Sequence, residues 1–171
     1  MTKDEVVGIF RTCENNCKLA YVLMVLLSYD DTYGYFAALY KELKIPKPYK
    51  GLDALLQDRA VLKIAMEQLY DTVHRAALKE LFEITKLYFE EQKKTDVLKA
   101  QNWYQFWRIL RNCFSHDFVF RFNAHDRKQL PVTWSGVTID ASFEGRPLTH
   151  GTMSREKLWE LLTDVKTFVE Q

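Results

Sequence analysis

The chain has 171 residues, 47% hydrophobic and 27% charged, a composition that can bury a core and is not that of a disordered polar chain. Its formal net charge of +1 excludes a protein that coats nucleic acid unselectively, so any nucleic-acid contact must come from a local patch. Cys13, Cys17 and Cys113 are too few, and odd in number, for a disulfide scaffold. Together with Met1-Thr-Lys-Asp-Glu, too acidic for a signal peptide, and a longest apolar run (Leu19 to Leu27) about half a membrane span, they predict a soluble cytoplasmic protein without a membrane partner.

Thr2 is a candidate N-cap, with Asp4 and Glu5 in the first turn of a helix expected to run to about Leu27 or Ser28. Val6, Ile9, Phe10, Cys13, Cys17, Ala20, Val22 and Leu26 supply its apolar positions. A second helix, rich in Tyr and Phe, is predicted over Asp31 to Lys44, ended by Pro46 and Pro48, with Tyr49-Lys50-Gly51 continuing the loop. Leu52 to about Lys94 has apolar residues at three- and four-residue spacing and reads as helical, with a break near Asp58-Arg59 and a solvated end over Glu90 to Lys94. Thr95 opens a short segment leading into an aromatic helix, Trp103 to Phe118.

The pattern changes after Phe118. Leu130 to Trp134, Ser135-Gly136, Val137 to Phe143 and Glu144-Gly145 read as a small antiparallel β-meander, because Val137, Ile139, Ala141 and Phe143 alternate with polar residues. Thr152 or Ser154 then caps a last helix with Leu158, Leu161, Leu162, Val165 and Phe168 on one face. The predicted fold is mainly α: a helical bundle forming one domain over residues 1–171, with a β insert at about 130–149 that is too short for its own core.

Around the aromatic helix, at about 100° per residue, Trp103, Phe106, Trp107, Leu110, Phe114 and Phe118 share one face. Arg108, Arg111, Asn112, Ser115 and His116 fall on the other, with Asn112 and His116 expected to stack one turn apart. Polar residues on the outer face of such a helix are commonly just solvated. This set also suits cleavage of RNA by its own 2′-hydroxyl. Histidine trades protons near neutral pH, so His116 suits the base or the acid. Arginine presents a planar fork of donors, so Arg111 suits the charge building on phosphate. Asn112 would orient His116 or the phosphate. One set lacks a second proton-transfer group, which a symmetric dimer would supply.

The remaining candidates are weaker. Arg121, His125, Arg127 and Lys128 form a basic loop after the motif that could steer a phosphate backbone, or simply be a charged surface loop. Asp117 could pair with Arg111 or Arg121. Cys13 and Cys17 lie four apart, but without further ligands nearby they read as buried core residues, and no metal or cofactor is expected. His74 and His150 stand alone. Tyr29, Tyr33, Tyr35, Phe36 and Tyr40 could stack bases, although core or dimer interface is the commoner use of such a pattern. Trp134 would be a partner contact if exposed.

Arg111-Asn112-x-x-x-His116, near the end of a late helix, resembles the signature of the HEPN superfamily: Arg, a polar residue that is often Asn, three to five more residues, then His. The stretch Trp103 to Phe118 is similar to that of small bacterial and plasmid-borne HEPN proteins. The resemblance extends in outline to the helical N-terminal part and the last helix, and leaves the meander unexplained. It implies an up-and-down helical bundle and a homodimer pairing across the motif helices around one composite site. The implied activity is a metal-independent endoribonuclease acting on tRNA or other cellular RNA, in a toxin or phage-defence setting. Arg111 and His116 would be catalytic and Asn112 supporting; Arg108, Ser115, Arg121, Arg127 and Lys128 are the further candidates for RNA or phosphate. An antitoxin or regulatory protein is a possible partner. The family also contains members without demonstrated nuclease activity, so the alternative is a non-catalytic helical dimer module that binds protein, RNA or nucleotide.

Overall fold

The computed structural model describes residues 1–42, 51–149 and 151–171. They are mainly helical, with one small antiparallel sheet. The helices are α1 (Lys3–Leu26), α2 (Asp30–Glu42), α3 (Leu52–Gln57), α4 (Arg59–Glu91), α5 (Thr95–Lys99), α6 (Tyr104–Ser115), α7 (Ala124–Gln129) and α8 (Arg155–Glu170). Strands β1 (Val132–Trp134) and β2 (Val137–Ile139) lie between α7 and α8. No helix among the described residues is long and apolar enough to cross a membrane. Two compact units divide the chain: Met1–Thr12 with Ala77–Gln171, and Cys13–Ala76.

Several boundaries follow from local chemistry. Thr2 Oγ1 accepts from Glu5 N–H at 3.2 Å while Thr2 N–H donates to the Glu5 carboxylate at 2.7 Å, a reciprocal capping box that starts α1. The expected break near Asp58 separates α3 from α4. Asp58 is extended (φ −102°, ψ 97°), and its Oδ1 accepts from the N–H groups of Ala60 and Val61 at 3.0 and 3.1 Å. Ser154 rather than Thr152 caps α8, accepting from Lys157 N–H at 3.3 Å. The expected stop at Pro46 and Pro48 lies outside the described residues, as does His150.

The unit Cys13–Ala76 buries Cys13, Cys17, Ala20, Leu62 and Tyr70. His74 is also buried, its ring 4.1 Å from that of Tyr70 and its Nδ1 3.0 Å from the Tyr70 carbonyl. Arg59 ties the start of α4 to α2 through Asp30 and donates to the Ser28 carbonyl at 2.7 Å. Tyr35 and Phe36 of the tyrosine-rich α2, and Tyr29 just before it, are exposed and do not serve as core. Val22 and Leu26, expected on the buried side of α1, are exposed as well.

The other unit is built on aromatic packing. Phe82 of α4 meets Trp107 edge-on at 5.0 Å and stacks on Tyr104 at 5.8 Å. Phe89 stacks on Phe168 of α8 at 5.1 Å, and Trp103 meets Phe168 edge-on at 5.5 Å. Leu158, Leu161, Leu162 and Val165 are buried as the α8 pattern predicts, while Phe168 is half-buried.

The insert is a hairpin rather than a meander. Val132, Thr133 and Trp134 pair with Ile139, Thr138 and Val137 through a turn at Ser135 (φ 45°) and Gly136 (φ 79°). Two successive positive φ values match the right-handed twist of a two-residue hairpin, which is why Ser-Gly works there. The alternation does not continue to Phe143, because Asp140 accepts from Ser142 N–H at 2.8 Å and turns Ala141–Phe143 into a 3-10 helix. The chain then returns beside the segment that follows the motif: Phe120 N–H donates to Arg146 O at 3.0 Å and Gly145 N–H to Phe120 O at 2.9 Å. Trp134 is buried against Phe106 at 5.6 Å with its Nε1 donating to Asp164 at 3.1 Å, so it is a core residue and not a partner contact.

Candidate active site

Helix α6 carries the motif. Tyr104, Phe106, Trp107, Ile109, Leu110, Cys113 and Phe114 are buried, and that face fixes how the remaining side chains project. Burial pushes the Cys113 thiol up to about 12. Cys113 is therefore packing, as its place beside the apolar face suggests.

The polar side is less uniform than the helical wheel implies. Arg108 is not a free cation. It forms an ion pair with Asp126, a side chain only 1% exposed, and its Nε donates to Gln105 at 3.0 Å. His125, Arg127 and Lys128 of the expected basic loop lie on α7, with Arg121 before it, and α7 is started by a capping box in which Asn123 Oδ1 accepts from Asp126 N–H at 2.9 Å and Asp126 Oδ2 from Asn123 N–H at 3.1 Å. Asp126 thus serves both the cap and Arg108. The Asn123-x-x-Asp126 spacing is a helix-start signal readable in the sequence, obscured there by the surrounding basic residues.

Arg111 and Asn112 are joined: Arg111 Nη1 donates to Asn112 Oδ1 at 3.1 Å. Arg111 Nη2 forms an ion pair with Glu83 of α4, not with Asp117. Glu83 lies 28 positions upstream, and no sequence signal couples it to the motif. The Arg111 side chain is 32% exposed, while its Nε is buried and without a partner among the described residues. Ser115 turns its hydroxyl back onto the Arg111 carbonyl at 3.0 Å, a bond that occupies its donor within the helix.

His116 does not stack on Asn112 within the helix. Helix α6 ends at Ser115, and His116 is its C-cap at φ −121°, ψ 51°, bonded through its N–H to Cys113 O at 3.0 Å. Its side chain is exposed. Among the described residues it has no hydrogen bond with Asn112, whose Oδ1 faces Arg111. Asn112 is placed to hold the guanidinium, not the imidazole. Asp117 and Phe118 follow at φ 57° and 60°, two left-handed residues that turn the chain sharply away from the helix axis. Phe118 still meets Phe114 edge-on at 5.7 Å.

Of the other candidates, Arg121 is exposed on the segment that pairs with residues 145–146. Arg127 pairs with Glu144 at 3.3 Å and donates to the Phe122 carbonyl at 3.2 Å. Lys128 and His125 are exposed on α7. No group of three or more His, Cys, Asp or Glu side chains able to hold a metal occurs among the described residues.

The site thus comprises a guanidinium held by an amide and a carboxylate, with an exposed imidazole at the adjoining helix end. A helix C-terminus carries partial negative charge and gives a phosphate no help. Attraction for an anion must come from the Arg111 side chain, with Arg121 as the nearest exposed cation in sequence. No family model, no curated protein and no solved structure matches this chain.

Proposed function

We propose that the protein is a metal-independent endoribonuclease of HEPN type, with the helices arranged as an up-and-down bundle and two copies forming one composite site. The observation that carries the reading is the Arg111–Asn112 bond of 3.1 Å, one turn before an exposed His116 at the end of the same helix. A bracing amide reduces the freedom of the guanidinium, so the Arg111 side chain has less entropy left to lose when a phosphate binds. Arg111 binds a non-bridging phosphate oxygen and stabilises the charge that grows there. His116 of one copy takes the proton from the 2′-hydroxyl as that oxygen bonds to phosphorus. His116 of the other copy delivers a proton to the departing 5′-oxygen as the P–O5′ bond breaks. The products are a 2′,3′-cyclic phosphate and a 5′-hydroxyl end.

The net charge of +1 supports selectivity for tRNA or another structured RNA, or restraint by an antitoxin or regulatory protein, over general RNA degradation. The setting that fits is a cytoplasmic toxin or phage-defence effector. The exposed apolar side chains of Cys13–Ala76, among them Leu19, Val22, Tyr29, Tyr35 and Ile64, leave apolar surface for a partner, although none of them lies on α6.

The second reading is a non-catalytic helical dimer module that binds protein, RNA or nucleotide. The Arg111–Glu83 pair favours it, because a guanidinium already neutralised by a carboxylate also serves as a structural tie. Incubation with total tRNA in excess chelator separates the two. Cleavage that persists in chelator and disappears in Arg111→Ala and in His116→Ala supports the nuclease. Cleavage that is lost on chelation, or that survives both substitutions, rules out this mechanism.

A further inference from the structure

Resting on the phosphate-binding role proposed for Arg111, we infer that Glu83 is the resident occupant of that phosphate site. Its carboxylate holds the guanidinium where a phosphodiester would, and must yield before RNA is gripped. A carboxylate and a phosphate present the same kind of oxygen acceptors to the arginine fork. Arg111 Nη2 is engaged by Glu83, Nη1 by Asn112, and Nε is buried. One N–H on each Nη remains, so a phosphate arriving from solvent meets the guanidinium beside the Glu83 carboxylate and competes with it for the same positive charge. While the pair is closed the two charges cancel, and the motif end of α6 offers little attraction to an anion.

The pair can open. Glu83 is 48% exposed and Arg111 32%, and an ion pair this accessible to water is weak enough to be exchanged for another anion. Glu83 also has somewhere to go. Lys79 and Lys86 lie one turn before and after it on α4, at positions that face the same side of the helix. Lys86 is engaged with Glu90 at 3.6 Å while Glu83 holds Arg111. Displacement by phosphate thus moves the carboxylate from one cation to others on its own helix and uncovers the positive charge only when a phosphate is there to use it.

The test is equilibrium binding of a fluorescent 2′-O-methyl oligoribonucleotide, which lacks the attacking hydroxyl and stays uncut. It compares the wild type with Glu83→Gln, Glu83→Ala, Arg111→Ala and the Glu83→Ala/Arg111→Ala double variant. Removing one negative charge beside the bound phosphate should tighten binding about three- to tenfold at low salt, and less as salt rises. Gln keeps an oxygen that can accept from Arg111, so Glu83→Ala should tighten at least as much as Glu83→Gln. The gain should vanish in the double variant. Arg111-dependent binding that Glu83→Gln and Glu83→Ala leave unchanged or weaken overturns the role of Glu83 and leaves the nuclease reading standing. Tightened, Arg111-dependent binding without any tRNA cleavage supports Glu83 as the occupant of an anion site and overturns the nuclease. No binding by any variant overturns both.

Discussion

Asp126 is 1% exposed and its carboxylate is closed onto Arg108. A carboxylate this buried needs its partner, because removing one member leaves an uncompensated charge in the interior. Arg108→Ala, which leaves the buried Asp126 carboxylate without its cation, should cost about 3 kcal/mol in urea denaturation, and Asp126→Ala somewhat less because the Arg108 side chain it leaves keeps some solvent contact. The double variant should cost less than the sum, as residues sharing one contact do. Arg108→Ala should leave the affinity of the folded protein for RNA unchanged. Two single variants within about 0.5 kcal/mol of wild type would place this pair on the surface instead.

The turn after the motif helix gives a backbone prediction. Asp117 has φ 57°, a region glycine enters freely, aspartate at some cost and β-branched residues poorly. Asp117→Val should destabilise by about 1–2 kcal/mol more than Asp117→Gly, which should lie near wild type. The two are compared by thermal denaturation at one pH. The reverse order would mean that the chain does not turn left-handed there. His116 is adjacent, so Asp117→Gly should also loosen the imidazole and reduce cleavage more than it reduces stability.

The same turn shows what the sequence could and could not reveal. The aromatic face of α6, the break at Asp58, the Ser154 cap and the Ser135-Gly136 turn all rest on interactions within a few residues of one another, and each is legible in local spacing. The end of α6 at Ser115 is not, because neither Asp117 nor Phe118 is a glycine or proline, and their left-handed backbone is set by what surrounds them. Phe118 fits the apolar face equally well as a continued helix or as a residue beyond the turn. Arg108 and Arg111 look equivalent on a helical wheel. Their difference comes from Asp126 and Glu83, distant in sequence, one buried and the other half exposed.

Cysteine reactivity tests which face α6 buries. Burial pushes Cys17 up to about 11 and Cys113 up to about 12, against an opposing backbone hydrogen bond to Cys113 from Leu148. At pH 8 only about one Cys113 in ten thousand would then be thiolate, and the closed packing blocks reagent as well. A disulfide reagent that titrates three thiols in denaturant should titrate none on the same timescale in the folded protein. Rapid labelling of Cys113 alone would mean that α6 turns a different face to the core.

Subunit mixing decides whether a composite site exists. The exposed position of His116 at the end of α6 means that His116→Ala should shift stability by less than about 0.5 kcal/mol, so the variant should still fold and assemble. If proton removal and proton delivery use His116 from two copies, a dimer with one wild-type and one His116→Ala subunit has a single imidazole and fails. After equilibration of an equal mixture, roughly one quarter of the dimers are then fully wild type, and activity should fall to about that fraction of the same total concentration of wild-type protein. If each subunit works alone, activity should fall only to about half. The mixture must be made above the concentration at which sedimentation shows a dimer. A monomer at tens of micromolar, or a linear fall in activity with the fraction of His116→Ala, would confine the chemistry to one chain and leave His116 to both take and deliver the proton.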